Sequence, residues 1–241
     1  MAHLSGLPAD IPNLDTPGYL ATRDKIAETH ELRGVALITG APGLGKTHAV
    51  ENALTAIPDP SCIIRIGSSS TAKTLSKAML RKIGVPFSPR STEDDLTFQL
   101  IDELCDKPRL IAFDEAQALS VQGMRQLQHV FEDAACQATC VLVGGHRIAH
   151  TLDRAPSLRS RVRRHVSFTP LTDDLLLAAV REYHPMFANT PTRMLLTMDR
   201  MRGHGVLRNW ANMLELSLRH APTFGDPDHV TDPLWHKIRT A

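Results

Sequence analysis

The residues Gly40-Ala41-Pro42-Gly43-Leu44-Gly45-Lys46-Thr47 decide the fold of this chain, because they match the pattern G-x-x-x-x-G-K-[ST] at every fixed position. Residues 35–39 (VALIT) predict a short buried strand, and residues 47–57 predict a helix with one apolar face. In that context the pattern indicates a phosphate-binding loop, where backbone N–H groups and a helix N-terminus surround an anion. The alternative is a glycine turn without a ligand, but this alternative does not explain why a strand and a helix flank the glycines. The sequence therefore predicts a nucleotide-binding α/β domain.

The side chains of this loop fit a nucleoside triphosphate with its Mg²⁺ ion. Lys46 can reach and neutralise the β- and γ-phosphates, and the Thr47 hydroxyl can ligate Mg²⁺. We expect ATP to be bound by the loop residues Gly40, Pro42, Gly43, Leu44, Gly45, Lys46, Thr47 and His48.

A second motif, residues 109–117 (RLIAFDEAQ), is an apolar run that ends in two acids. Such a run is typical of a parallel strand buried on both faces. Asp114 at its carboxyl end is then placed to hold Mg²⁺ beside Thr47, and Glu115 to polarise an attacking water. An acid pair that caps a helix is the alternative, but the distance from the phosphate loop favours the metal and catalytic roles.

Composition limits the class of protein. The 241 residues fit one large domain or a domain with a small appendage, and 42% hydrophobic residues suffice for a core. The 27 basic and 26 acidic residues nearly cancel, so any contact with DNA must come from a local face or an oligomer. The four cysteines form no C-x-x-C pair, and residues 1–20 lack the features of a signal peptide. We expect a cytoplasmic protein with reduced thiols and no membrane span.

Polar residues follow the next predicted strand, residues 139–144. His146 is a candidate sensor of the γ-phosphate, and its alternative role is to start a helix. Five arginines then lie between positions 154 and 164, which indicates either a patch for a polyanion or an arginine that reaches the nucleotide of a neighbouring subunit. For that arginine finger, Arg161 is the first candidate and Arg159 the second. Arg163 and Arg164 are expected to be solvated or to face DNA.

The two ends of the chain differ from its centre. Residues 1–22 are rich in proline and predict an extended strap, followed by a short helix at residues 23–32. From residue 171 the pattern is all-helical, with helices predicted at Asp173–Ala188, Thr192–Met201 and Val206–His220. These form a small lid from which Arg208 points toward the nucleotide; an ordinary helix arginine is the alternative. Residues 221–241 are a tail, either a docking peptide or a terminus pinned by an aromatic residue.

The order of these motifs resembles that of AAA+ ATPases, over roughly residues 23–220. The resemblance implies a P-loop α/β fold with a five-stranded parallel sheet between helices, a core at 23–170 and a helical lid at 171–220. Three segments indicate a subgroup within the AAA+ ATPases, namely DEAQ (114–117), SSTAKTL (69–75) and LRSRV (158–162). Together they resemble the bacterial transposition regulators, that is phage Mu B, the TnsC/TniB-like group and the related ExeA-type ATPases. Gly144 and Gly145 depart from this family, which usually has a polar sensor residue there.

The resemblance implies a function. It implies Mg²⁺-dependent ATP hydrolysis, assembly of a ring or helical filament on double-stranded DNA, and contact with a transposase and a target-selection protein. It also implies that a basic helix face binds DNA phosphates through Ser70, Thr71, Lys73 and Lys77. A solvated helix face is the alternative for these residues.

Other functions stay open at the level of sequence. A helicase loader or replication initiator would need a further docking or winged-helix module, and none is evident after residue 220. An ExeA-type ATPase would act on a protein partner alone. A nucleotide switch without hydrolysis is disfavoured by the presence of Glu115.

Overall fold

The computed structural model describes residues 13–67, 70–224 and 228–240. Within these residues the chain forms two compact units. The first consists of Leu20–Pro42 and Lys46–Phe168, and the second contains the rest of the described chain, including Gly43–Gly45. Each unit has its own apolar core, and each is described by itself below.

Up to Phe168 the chain alternates strands and helices. The elements are α1 (Pro17–Glu31), β1 (Val35–Gly40), α2 (Lys46–Thr55), β2 (Ser61–Arg65), α3 (Ala72–Lys82), α4 (Glu93–Asp106), β3 (Arg109–Asp114), a 3₁₀ turn (Ala116–Ala118), α5 (Val121–Glu132), β4 (Ala138–Gly144), α6 (Ile148–Leu152), α7 (Pro156–Ser160) and β5 (Val162–Phe168).

Within the described residues, these strands form one five-stranded sheet in the order β2-β3-β4-β1-β5, and every pair is parallel. All residues of β1, β3 and β4 are buried, as expected for central strands covered by helices on both faces. The carboxyl ends of the strands lie at one edge, where the register pairs Thr39 with Gly144 and Arg65 with Asp114. The predicted α/β fold with a five-stranded parallel sheet is confirmed.

Helices α3, α4 and α5 bury their apolar faces in the core of this unit. The Phe113 and Phe131 rings pack edge to face, with centroids 6.2 Å apart. The buried Gln126 amide donates to Ser76 Oγ (3.0 Å) and Thr97 Oγ1 (2.8 Å), so its polar group has partners inside the core. Helix α4 begins with a capping box, in which Thr92 Oγ1 accepts from the Asp95 N–H and the Asp95 carboxylate accepts from the Thr92 N–H.

The cysteines are free thiols, in line with the expected reduced state. Burial raises the pKa of Cys62 to about 11, so this thiol stays protonated at neutral pH. In the described part of the chain, no helix combines the length and apolar character that crossing a membrane requires.

The N-terminal segment differs from its prediction. Residues 1–12 of the expected strap lie outside the described residues, and from Pro17 the chain is helical rather than extended. Thr16 Oγ1 accepts from the Tyr19 N–H (3.3 Å), which caps the helix, and Pro17 stands at the first helical position. Helix α1 therefore begins six residues before the predicted Arg23.

The second unit is helical. Its elements are α8 (Asp173–Tyr183), α9 (Pro185–Ala188), α10 (Thr192–Met198), a π-helical turn (Asp199–Gly203), α11 (Leu207–Phe224) and α12 (Asp232–Arg239). Its core contains the Phe187–Trp210 pair, whose rings meet edge to face at 5.1 Å. Helix α12 buries Leu234, Trp235 and Ile238 in the same core. The end of the predicted tail is therefore held by an aromatic residue, which is one of the two alternatives for this segment. Residues 225–227 lie outside the described residues.

Two of the predicted helices in this unit are interrupted. The helix expected at Asp173–Ala188 stops at Tyr183, because Pro185 disfavours helical torsions at the residue before it and His184 is extended (φ −158°, ψ 141°). The helix expected at Thr192–Met201 ends at Met198 and continues as the π-helical turn. Asp199 Oδ1 accepts from the Gly205 N–H (2.8 Å) and from the Trp210 indole (3.1 Å), which fixes this turn against α11.

Candidate active site

The phosphate loop connects β1 to α2 and has the torsions that an anion cradle needs. Gly43 (φ 85°) and Gly45 (φ 93°) are in the left-handed region, which side chains rarely adopt, so glycine at both positions lets backbone N–H groups turn inward. Leu44 between them is buried. Helix α2 begins at Lys46, so Lys46, Thr47 and His48 lie in its first turn.

Two side chains that could hold Mg²⁺ lie together at the end of β3. Thr47 Oγ1 donates to Asp114 Oδ2 across 3.2 Å, and the Asp114 carboxylate is buried. The Arg65 guanidinium is 3.7 Å from the same Oδ2. Lys46 Nζ donates to the Ala41 carbonyl (2.8 Å), which keeps the ammonium over the loop.

Glu115 has an unusual backbone. Its torsions (φ 59°, ψ 34°) are left-handed, which costs a non-glycine residue about 1–2 kcal/mol. Its N–H donates to Asp114 Oδ1 (3.0 Å), so Oδ1 orients Glu115 while Oδ2 contacts Thr47. The side chain is exposed. The two acids therefore point differently although they are adjacent in sequence, and their carboxylates can act on different atoms.

Gln117, which sequence reasoning quoted only as part of a motif, contacts Glu115 directly. Its Nε2 donates to Glu115 Oε2, and its Oε1 accepts from the Gly145 N–H (3.0 Å). The predicted sensor, His146, is exposed just beyond the end of β4. Thus the side chain that links β4 to Glu115 is Gln117 rather than His146. The adjacent glycines Gly144 and Gly145 were the sequence signal for this contact, because they leave room at the end of β4 for a side chain from another element.

The arginine segment is placed differently from its prediction. Arg161 NH1 donates to the Phe131 carbonyl (2.6 Å) and NH2 to the Glu132 carbonyl (2.8 Å). These carbonyls end α5 and have no partner within the helix, so Arg161 caps α5 in its own chain. Arg159 is 64% exposed and pairs with Asp153, an interaction that is weak at a surface. Of the two finger candidates, the structure therefore leaves the second, Arg159, directed to solvent.

Arg163 and Arg164 lie on β5. Arg163 is exposed, whereas Arg164 is half-buried and pairs with Glu28. This pairing lowers the pKa of Glu28, together with a hydrogen bond from Lys25, which has the larger effect.

Arg208 lies in the first turn of α11, within the second unit. Its N–H donates to the Gly43 carbonyl (3.1 Å), and a side chain at Gly43 would begin 3.0 Å from Arg208 Cβ. The side chain is exposed. Contact with the nucleotide stays a prediction for Arg208.

The sequence was compared with protein-family models. Residues 29–152, more than half of the chain, match the model described as AAA domain. The chain belongs to the AAA domain family. The matched span contains the phosphate loop, both acids of β3 and the tip of β4. No curated protein matches this AAA domain protein in sequence.

Solved structures share the fold of the AAA domain protein. ORC2 of Aeropyrum pernix, in ADPNP–ADP complexes, has a TM-score of 0.73 at 15% identity, covering 97% of this chain and 70% of that chain. Cdc6p of Pyrobaculum aerophilum has a TM-score of 0.71 at 17% identity, with coverages of 90% and 65%. ORC1 of Aeropyrum pernix in complex with DNA has a TM-score of 0.69 at 15% identity, with coverages of 97% and 67%. At these identities the likeness shows the P-loop NTPase fold.

The residues of the AAA domain fit Mg²⁺ bound with a nucleotide. Among the described residues, no group of three or more His, Cys, Asp or Glu is arranged to hold a metal on its own. Mg²⁺ at nucleotide sites typically takes few protein ligands and completes its shell with phosphates and water. A buried carboxylate beside a hydroxyl at the start of α2 is a suitable pair of ligands, so Thr47 and Asp114 would hold the ion.

The proposed DNA face of the AAA domain lies where β2 leads into α3. Thr71 caps α3, since its Oγ1 accepts from the Thr74 N–H (3.2 Å). Lys73 and Lys77 are half-buried; Lys73 acts electrostatically on Asp95, and Lys77 Nζ lies 6.0 Å from the centre of the Phe87 ring. The Ser70 carbonyl accepts from Ser120 Oγ (2.7 Å). These four residues lie in one segment, but both lysines also have partners within the chain.

Proposed function

We propose that this protein is a Mg²⁺-dependent ATPase that hydrolyses ATP to ADP and phosphate. The observation that carries the proposal is the arrangement at the end of β3, where the buried Asp114 carboxylate contacts Thr47 and the adjacent Glu115, which has a left-handed backbone, exposes its carboxylate. This geometry supports separate roles for the two carboxylates, one for the metal and one for water.

Each residue then has one task. Lys46 neutralises charge on the β- and γ-phosphates, and Thr47 and Asp114 hold the metal. Glu115 accepts the proton of the attacking water. Mg²⁺, when bound, neutralises charge that develops on the phosphate oxygens. Arg208 senses the γ-phosphate from the same chain.

A neighbouring subunit supplies the remaining positive charge. An arginine delivered in trans stabilises the transition state of phosphoryl transfer, so the active site is complete only in an oligomer. The exposure of Arg159 supports it as this residue. Arg161 can serve only if it gives up its hydrogen bonds to the end of α5.

ATP binding is proposed to drive assembly of this protein on double-stranded DNA, where it recruits and stimulates a transposase. Two observations support this proposal. The DEAQ, SSTAKTL and LRSRV segments resemble those of transposition regulators, and Lys73 and Lys77 both lie on α3, in its first half and at its middle. A nearly neutral subunit can bind DNA in this way because an assembly repeats the same few phosphate contacts along the duplex.

A replication-initiator or helicase-loader role is the second candidate. It is favoured by the shared fold with the ORC and Cdc6 proteins, one of them solved in complex with DNA. The two functions differ in what assembles, since the first requires many copies along DNA. A third role, action on a protein partner alone, requires no DNA.

Electron microscopy of the purified chain with duplex DNA, with and without a non-hydrolysable ATP analogue, tests these alternatives. Nucleotide-dependent filaments or rings on DNA are the expected result. The variant Lys46→Ala is the control and should not assemble. Absence of DNA association at low salt would exclude both DNA-based functions and leave the protein partner.

A further inference from the structure

Gln117 joins the candidate catalytic carboxylate to the tip of β4. Its Oε1 accepts from the Gly145 N–H at 3.0 Å, and its Nε2 donates to Glu115 Oε2. Only the oxygen of a carboxamide can accept a hydrogen bond from a backbone N–H. The Gly145 contact therefore fixes which end of the amide faces Glu115, and that end is a donor.

The Gln117 amide occupies the space in which a side chain at position 144 would begin. A Cβ atom at Gly144 would lie 2.1 Å from Gln117 Oε1, which is closer than real Cβ contacts, and 3.3 Å from its Cδ. Gly144 is not among the glycines with positive φ, so its backbone would accept another residue. Space for the Gln117 amide, rather than torsion, is what glycine provides here. A side chain at position 144 would therefore push the end of the flexible Gln117 side chain out of its present place.

Glu115 needs such a partner because little else restrains its side chain. The Glu115 backbone is fixed by the Asp114 carboxylate and by the Ala118 N–H, which donates to the Glu115 carbonyl (2.8 Å). The side chain itself is exposed. An exposed glutamate samples several rotamers, and each rotamer moves the carboxylate by more than the tolerance of a general base.

We propose that Gln117 is a positioning residue for ATP hydrolysis, holding the Glu115 carboxylate at the tip of β4 in the space that a polar side chain on the strand tip would fill. This inference rests on the proposed ATPase function and on the role of Glu115 in it. A neutral donor suits the task because it orients the carboxylate while leaving it free to accept a proton. A displacement of the Gly144–Gly145 segment would move the Gln117 amide and, with it, the Glu115 carboxylate.

The test is a double-mutant cycle on the full chain with Mg²⁺-ATP and duplex DNA. The variants are Gln117→Ala, Gln117→Glu, Gly144→Ser and the pair Gln117→Ala with Gly144→Ser. Gln117→Glu keeps the size of the side chain and its acceptor for Gly145 but removes the donor to Glu115. Thermal melts show which variants are folded, and affinity for a fluorescent ATP analogue separates binding from hydrolysis.

Each single variant should lower kcat about tenfold or more, with the affinity for the analogue within about twofold of the parent. The pair should have a higher kcat than Gln117→Ala, because a serine hydroxyl at position 144 enters the vacated space beside Glu115. A residue with a structural role alone would instead lower Tm in parallel with kcat across the variants. Additive losses, or a parental kcat in Gln117→Glu, would overturn the proposal.

Glu115→Gln separates this proposal from the proposed function. If Glu115→Gln hydrolyses ATP like the parent, Glu115 is not the general base and both ideas are wrong. If Glu115→Gln is inactive while Gln117→Ala and Gln117→Glu match the parent, only the role of Gln117 is overturned.

Discussion

At the scale of single residues, the two acids of β3 show how adjacent side chains acquire different tasks. Asp114 uses one oxygen for Thr47 and the other for the N–H of Glu115. The backbone of Glu115 is left-handed, and its side chain is exposed whereas the Asp114 side chain is buried. Strained torsions cost folding free energy, so they persist only where the surrounding structure holds them in place. They are found mostly at functional sites.

Glu115→Gln should abolish hydrolysis and preserve ATP binding. Glutamine keeps the length of the side chain and an oxygen that can accept from Gln117 Nε2, but it is too weak a base to take a proton from water. We expect kcat to fall about 100-fold or more, with analogue affinity unchanged. Turnover and equilibrium binding measure the two effects. The variant should also remain assembled on DNA, and parental turnover would contradict the role of Glu115.

At the scale of elements, Arg161 connects the turn after α7 to the end of α5. Strands and the phosphate loop could be predicted because their signals are local: an apolar run, or fixed glycines beside a lysine. The contacts of Arg161 with Phe131 and of Gln117 with Gly145 span about 30 residues of sequence, and no local period reveals them. Sequence therefore indicated an arginine segment but not which arginine is engaged within the chain.

Arg161→Ala should destabilise the first unit, whereas Arg159→Ala should not. The substitution at 161 leaves the Phe131 and Glu132 carbonyls without a charged donor, which costs about 1–3 kcal/mol. Arg159 pairs with Asp153 at the surface and should contribute little. Denaturant unfolding of both variants gives the comparison. Equal stability of the two would show that Arg161 does not hold α5 in solution.

We expect His184, between α8 and α9, to make the helical unit sensitive to acid. Its Nδ1 accepts from the Met186 N–H (3.1 Å), and burial lowers the pKa of His184 below its usual value. The unfolded chain then binds more protons than the folded chain near and below about pH 6.5, so the free energy of unfolding falls as the pH falls through that range.

His184→Asn should weaken this dependence, because Asn Oδ1 can accept the same hydrogen bond and does not titrate. Thermal melts at about pH 7.5 and about pH 5.5 should show a smaller decrease in Tm for the variant than for the parent. The exposed His150, changed to Asn, controls for the loss of one histidine. An unchanged difference in Tm would assign the acid sensitivity to another group.

At the scale of the whole molecule, the proposed site needs two copies of the chain. The phosphate loop and the acids of β3 come from one subunit, and the arginine from its neighbour. Such head-to-tail contacts close into rings or continue as filaments. The nearly balanced charge of the chain adds no strong repulsion between copies.

Mixing two inactive variants tests the shared site. Glu115→Gln binds ATP and assembles but lacks the general base, and Arg159→Ala lacks the arginine for the neighbour, so each alone should hydrolyse ATP poorly. A 1:1 mixture should regain about one quarter of the parental activity, because one random interface in four has both intact residues. Arg163→Ala is the matched control and should remain active. No recovery on mixing would place the arginine in cis or exclude Arg159.

The glycine at position 144 has a consequence for the history of this protein. A side chain at position 144 would displace the Gln117 amide from Glu115, so under the proposed role of Gln117 we expect a change at either position alone to lower activity. Related chains should therefore carry one of two residue pairs, glutamine with glycine or a small residue with a polar one, and intermediates should be rare. Covariation between positions 117 and 144 in an alignment of related chains would indicate that the polar group beside the catalytic glutamate can be supplied by either element.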